Sequence, residues 1–139
     1  MRREKGLIIS CLVDSDVCID FLRGRKYANV LFNKWMEKGL LSISAITHLE
    51  IYAAMRKGEE GSTADFLDNM VTIPVDEAVA SSAGHIIRCL RTNGFTISPM
   101  DSIVAASALY SNVPLITNNI ADYPVTQISG LVVINGVGA

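Results

Sequence analysis

Five short apolar runs (Leu7–Val13, Leu40–Ser44, Val71–Val75, Val113–Thr117 and Leu131–Ile134) are separated by longer stretches with helical signals. Most of the runs are apolar throughout instead of alternating, the pattern of strands covered on both faces. The stretches between them carry recognisable helix ends. Lys38-Gly39 and Lys57-Gly58 each place a cation before a terminating glycine, and Asn93-Gly94 closes a helix that begins near Asp76. Ser98-Pro99 opens another helix, with serine as N-cap and proline at the first helical position. Strand, helix, strand in repetition predicts a mainly parallel sheet with helices on both faces, a three-layer α/β/α sandwich. No repeat, low-complexity tract or linker divides the 139 residues, so a single domain over 1–139 is expected.

Composition narrows what such a domain can do. Half of the residues are hydrophobic and 19% are charged, which excludes a largely disordered chain. Cys11, Cys18 and Cys89 are odd in number and form no CxxC pair. That excludes a disulfide framework or a zinc ribbon and suits a reducing cytoplasm. A net charge of −2 rules out a broadly basic nucleic-acid wrapper, leaving a local basic patch or metal ions as the route to any nucleic acid. The N-terminus has basic residues before an apolar run, but Leu7–Val13 is too short for a signal peptide and aspartates follow it. The uncharged segment Ser102–Ala121 is interrupted by Ser107, Ser111, Asn112, Pro114, Asn118 and Asn119, so no membrane span is expected. The reading is a soluble, cytoplasmic protein.

In parallel sheets of this kind, ligands bind beyond the carboxyl ends of the strands, where helices also begin. Four polar groups fall at such positions. Asp14 directly follows the first strand in Leu12-Val13-Asp14-Ser15-Asp16, where two acids and a serine exceed the needs of one helix cap. Glu50 sits in the helix Ala45–Arg56 among apolar and small neighbours, a costly place for a lone charge unless it faces solvent. Asp101 lies three residues after Ser98, which a capping box alone would explain, but the helix beyond it is apolar almost all round. Thr117-Asn118-Asn119-Ile120-Ala121-Asp122-Tyr123-Pro124 follows a strand and reads, by itself, as an ordinary turn.

Together these groups mean more than they do singly. Asp14, Glu50, Asp101 and either Asp122 or Asn119 map to one rim of the sheet. Two carboxylates about 4 Å apart repel by roughly 4 kcal/mol at an effective dielectric near 20, so the set calls for protons or a cation. Oxygen ligands without histidine or cysteine select a hard ion, Mg²⁺ or Mn²⁺. Such a site suits metal-assisted hydrolysis of a phosphodiester. Other motifs fail. His48-Leu49-Glu50 has the HxE form of a zinc deaminase without a following PCxxC, and no HExxH, P-loop or GxSxG occurs. Gly136-Val137-Gly138 precedes no helix, so it is no dinucleotide site, and His85 reads as a structural or surface histidine.

Four segments resemble the motifs of PIN-domain ribonucleases, especially the VapC-type toxins. They are Leu12–Gly24 around Asp14, Ser42–Ala53 around Glu50, Ile97–Leu109 around Asp101, and Leu115–Pro124. The motifs stand in the right order and span nearly the whole chain. The resemblance implies Asp14 and Asp101 as principal metal ligands, with Glu50 and Asp122 completing the acidic cluster. It implies Ser15 and Thr117 as groups that orient carboxylates or water. Some members carry an acid two residues after the threonine, where this chain has Asn119. Two alternatives stay open: Asp122 as the fourth acid, or a fourth contact made only through water. The implied activity is magnesium-dependent RNA cleavage, with a small VapB-like antitoxin as partner and a homodimer as the assembly.

RNA also needs cations, and Arg23, Arg25 and Lys26 form a compact basic cluster after the first helix. Arg56, Lys57 and Arg91 are better explained as complements to helix C-termini. A mean hydropathy of +0.33 and the stripe Leu31, Phe32, Trp35 and Met36 suggest a packing or interface surface. Two other readings compete. Asp14-Ser15-Asp16 also resembles the nucleophile motif of haloacid dehalogenase-like phosphatases, with Asp14 phosphorylated, Asp16 as acid/base, and Ser44 and Lys57 on phosphate. The other is a catalytically inactive PIN module that binds RNA or protein.

Overall fold

The structure, a computed structural model, describes residues 8–138. The basic N-terminus and Leu7, the first residue of the expected first strand, lie outside the described residues. From Ile9 the chain runs β1 (Ile9–Val13), α1 (Ser15–Leu22), α2 (Lys26–Met36), β2 (Leu40–Ser44), α3 (Ala45–Ala54) and α4 (Glu60–Asp68). It continues through β3 (Val71–Ile73), α5 (Glu77–Thr92), α6 (Pro99–Ser111) and β4 (Leu115–Thr117). Two one-turn 3₁₀ helices, Ile120–Asp122 and Val125–Gln127, precede β5 (Val133–Asn135). The five strands lie in the order β3-β2-β1-β4-β5, and every pairing is parallel. β1 is central, with β2 and β4 on either side, so the strand order reverses at its carboxyl end. That is where an open α/β sheet leaves a crevice.

Both faces of the sheet are covered, which explains the apolar runs. Successive residues of β1 point to opposite layers. Cys11 and Val13 pack with Val17, Leu31, Phe32, Trp35, Ile51 and Phe66 from α1 to α4, while Leu12 packs with Leu90, Val104, Ala105 and Ala108 from α5 and α6. The three-layer sandwich is therefore as expected. α6 is buried along most of its length, as its uniform apolarity predicted. Phe21, Phe32 and Phe66 tie α1, α2 and α4 together, with the first two rings stacked at 4.4 Å. All three cysteines are free, and burial pushes the Cys11 thiol up to about 12.

Caps follow the sequence at several helix starts. Asp76 accepts from Val79 N at 2.9 Å and Ser98 from Asp101 N at 3.1 Å. Gly39 closes the end of α2 through its N–H to Trp35 O at 3.2 Å, and it has a second role. A Cβ there would lie 2.3 Å from Ile8 O, so glycine lets the start of β2 close onto β1. Boundaries move where proline or a missing partner intervenes. β3 ends at Ile73, because Pro74 has no N–H for the ladder, not at Val75. β4 begins at Leu115, after Pro114, and not at Val113. β5 runs from Val133 to Asn135, paired with Leu115 to Thr117, and not from Leu131. α3 stops at Ala54, because Met55 is already extended, so it does not reach Arg56. Gly58 then turns the chain into α4 with φ of +90°. Among the described residues no helix is long and apolar enough to cross a membrane, and Ser102–Ala121 divides into most of α6, β4 and the turn after it.

The expected apolar stripe on α2 resolves into core. Leu31, Phe32 and Trp35 are buried, and only Met36 stays exposed at 53%. The three large side chains fill the layer between α2 and the sheet, and Phe32 and Met36 also line an apolar groove beside it.

Candidate active site

Asp14 ends the central strand and caps α1, so strand end and helix start coincide on one residue. It is only 5% exposed. Its Oδ1 accepts from Ser15 N at 2.8 Å, while Oδ2 accepts from the Thr117 hydroxyl at 2.9 Å and from the Tyr123 hydroxyl at 2.8 Å. Capping alone accounts for one oxygen; the other is held by two buried hydroxyls. Burial first, then Asp16, raises the Asp14 carboxyl above its ordinary range, although Tyr123, Ser15 and Thr117 pull it back.

The Tyr123 hydroxyl also lies 3.3 Å from Asp101 Oδ1. A phenol has one proton, so it cannot donate at full strength to both carboxylates. Asp14 and Asp101 thus flank a shared hydroxyl, and the Tyr123 ring is buried beneath them. Burial raises the Asp101 carboxyl, and Asp14 and Asp122 raise it further. The capping-box reading of Asp101 is also satisfied through its N–H to Ser98. Its carboxylate also bonds Ser98, while Oδ1 lies against the Tyr123 hydroxyl shared with Asp14.

Glu50, half-buried on α3, hydrogen-bonds Ser15, and burial followed by Asp14 raises its carboxyl. The helix starting from the buried Ser44 cap brings it to the same rim. Thr117, fully buried at the end of β4, donates to Asp14 and accepts from Asn119 N at 3.0 Å. Asn119 therefore contributes its main chain here, and its residue is exposed. Asp122 is exposed on its 3₁₀ turn, with its charge felt at Asp101. Among the described residues no three acids, histidines or cysteines are drawn together as a ready-made cation cage.

Three groups at the rim were not among the site residues expected for RNA cleavage. Asp16 accepts from Asn118 N at 2.8 Å and is raised chiefly by burial. Asn118 and Tyr123 stand in the quoted fourth motif, but only the folded turn aims them inward. The basic cluster divides. Arg23 donates to Ala54 O at 3.0 Å and pairs with Glu59 at 3.6 Å, fastening α1 to α3 and α4, whereas Arg25 and Lys26 are exposed. His48 bonds Thr72 at 2.9 Å, and His85 is exposed on α5. Ser44 caps α3, and Asp16 is held by main-chain donors, neither arranged as a phosphatase would use them.

A doubly covered parallel sheet with acids gathered where its strand order reverses defines a class. The chain belongs to the PIN domain family, whose pattern matches residues 11–121. The relatives it resembles are VapC proteins. Ribonuclease VapC10 of Mycobacterium tuberculosis is 32% identical over 116 residues, covering 84% of this chain and 87% of that one. Ribonuclease VapC19 of the same species is 28% identical over 114 residues, covering 81% and 91%. Among solved structures, a toxin–antitoxin complex from Klebsiella pneumoniae aligns at a TM-score of 0.76 and 25% identity, covering 91% of this chain and 98% of that one. Membership in this family displaces the phosphatase alternative.

Proposed function

We propose that this chain is a divalent-cation-dependent endoribonuclease, the toxin of a toxin–antitoxin pair. The observation that carries the reading is the acidic pair itself: Asp14 and Asp101 flank the Tyr123 hydroxyl, with Glu50 beside them and all three carboxyls raised. The leading influences on them are burial, neighbouring acids and neutral donors, so their charge awaits a positive counterpart. The oxygen-only donor set is of the kind that takes a hard ion, Mg²⁺ or Mn²⁺, which keeps several waters of its own. Asp14, Glu50 and Asp101 would hold the ion, with Asp122 reaching it from the mouth through water. When bound, the ion would supply activation of water and neutralisation of charge on the phosphate. Thr117 and Ser15 hold Asp14 and Glu50 in place for that task, and the Tyr123 hydroxyl links the two aspartates. The intact acids also argue against an inactive module.

RNA would approach over the exposed Arg25 and Lys26; Arg23 is already engaged. An apolar groove of about 800 Å³ lined by Phe21, Leu22, Phe32, Met36, Phe66 and Met70 supports an antitoxin segment with apolar side chains. A cation on that segment would compete with the metal at the carboxylates. The homodimer reading draws on Leu49 and Tyr52, exposed one turn apart on α3. The free cysteines agree with a cytoplasmic setting.

The test is cleavage of an RNA oligonucleotide with Mg²⁺ or Mn²⁺. Water as the nucleophile leaves a 5′-phosphate, and excess EDTA stops the reaction. A 2′,3′-cyclic phosphate, or full activity in EDTA, would overturn the reading. Light scattering at micromolar concentration should give twice the chain mass.

A further inference from the structure

Beside the acidic pair runs a polar chain that the proposed reaction does not use. Asn118 has its main-chain N–H and both ends of its side-chain amide engaged. Its N–H donates to Asp16 Oδ2 at 2.8 Å, its Nδ2 to the Tyr27 hydroxyl at 2.6 Å, and its Oδ1 accepts from Val137 N at 3.0 Å. The Tyr27 hydroxyl in turn donates to Asp20. Since Oδ1 is fixed by a main-chain donor, the amide has one orientation, and the tyrosine proton can point only toward Asp20. Burial, then Asp20, pushes the Tyr27 hydroxyl up to about 12, so it stays a donor at neutral pH.

The third side of this arrangement is the turn after β5. A Cβ on Gly136 would fall 2.8 Å from Asn118 Oδ1 and 3.1 Å from Val17 Cγ2. Glycine therefore lets the turn lie close against Asn118 and the helix that carries Asp16. Asp16 and Asp20 lie four residues apart on α1, on one face. The chain Asp20–Tyr27–Asn118–Asp16 leaves α1, crosses α2 and the β4 turn, and returns to α1 one turn nearer the rim.

We propose that Tyr27 and Asn118 are positioning residues, which hold the Asn118 N–H on Asp16 and so fix Asp16 as a further acid of the site beside Asp14. The proposal rests on the ribonuclease reading. Asp20, engaged by Tyr27, is kept out of the acidic set, while Asp16 is kept in it. Without the tyrosine hydroxyl, the Asn118 amide loses one of its two side-chain anchors and its N–H no longer sits over the Asp16 carboxylate.

Tyr27→Phe removes that hydroxyl alone. In Mg²⁺ with an RNA oligonucleotide, kcat should fall about tenfold while KM changes less than about twofold. In an Asp16→Asn background, adding Tyr27→Phe should leave kcat unchanged, because both act through one carboxylate. In metal-free protein, hydrogen exchange at the Asn118 amide should speed up about tenfold while Leu12 in β1 keeps its rate. Gly136→Ala, pressing from the other side, should move kcat and Asn118 exchange in the same direction. An unchanged kcat in Tyr27→Phe, losses that multiply with Asp16→Asn, or equal acceleration at Leu12 would each overturn the proposal. If the wild-type protein cuts no RNA, the ribonuclease reading fails. The exchange at Asn118 in Tyr27→Phe then decides the latch alone, and an unchanged rate refutes it.

Discussion

α1 begins at Asp14 and Asp16, in a crevice where burial raises carboxylates, and ends at Phe21 and Leu22, in an apolar cluster closed by Phe32 and Phe66. Eight residues join the two. At the first end, neighbours raise one another's energy: Asp14 is pushed up by Asp16, and Glu50 and Asp101 by Asp14. At the second, the Phe21 and Phe32 rings stack at 4.4 Å and pack against Phe66. One helix thus spans a site that stores unfavourable charge and a cluster that supplies stability. Changes at the two ends should therefore separate activity from folding.

The largest effect is expected at the acid end. Asp14→Asn or Asp101→Asn should lower RNA cleavage by about 10³-fold or more, because each removes a charge the reaction needs. The melting temperature should stay the same or rise, since one member of a repelling set is gone. A thermal scan beside a single-turnover assay checks both. If Asp101→Asn instead melts many degrees lower and spares activity, the hydrogen bond of its carboxylate to Ser98 was its only role.

The opposite end should respond in the opposite way. Phe32 is 3% exposed and stacked, and truncation to alanine should cost about 3–5 kcal/mol of stability. Cleavage per folded molecule should hold near the wild-type rate below the new melting point. Urea titration gives the first quantity, and single-turnover cleavage normalised to the folded fraction from circular dichroism the second. Equal loss of specific activity in the folded fraction would erase the distinction between the ends.

A subtler consequence is pH dependence without metal. Asp14, Asp16, Glu50 and Asp101 are all raised in the folded protein. The folded state then holds more protons than the unfolded chain across the carboxylate range. Stability from these groups is fully present below their unfolded values and is lost as pH rises through their folded values. Urea midpoints of metal-free protein should therefore decline as pH rises from about 4, the unfolded carboxylate range. The decline should be shallower in Asp101→Asn, and Mg²⁺ should oppose it. A steeper decline in the variant would contradict the repulsion on which the site is built.

How much of this the sequence could carry depends on how local each feature is. Apolar runs mark the strands because both faces of the sheet are covered. Ser98-Pro99 and Asp76 mark helix starts because a cap is decided within a few residues. Asp14 is legible for the same reason, as strand end and cap in one. Tyr123 and Asn118 are not, since their partners Asp14, Asp101 and Tyr27 come from distant segments. Leu31, Phe32 and Trp35 show a helical stripe, but spacing alone does not tell a core face from an interface. Arg23 looks like part of a basic patch until α4 brings Glu59 beside it.

The smallest effect concerns the mouth of the crevice, where Asn119 and Asp122 compete for the fourth place. Asn119 meets the site through its N–H on Thr117, which any residue would retain. Asn119→Ala should then cleave within about twofold of wild type, as surface changes without lost contacts usually do. Asp122 contributes charge at Asp101 from an exposed position, where solvent screens it. Asp122→Asn should lower cleavage about three- to tenfold at limiting Mg²⁺, with most of the loss regained as Mg²⁺ is raised, because weaker attraction is offset by mass action. A Mg²⁺ titration of both variants separates the cases. Loss in Asp122→Asn as deep as in Asp14→Asn, and beyond rescue by Mg²⁺, would make Asp122 a direct ligand on a turn that closes inward. Loss in Asn119→Ala alone would instead give the fourth place to the asparagine side chain.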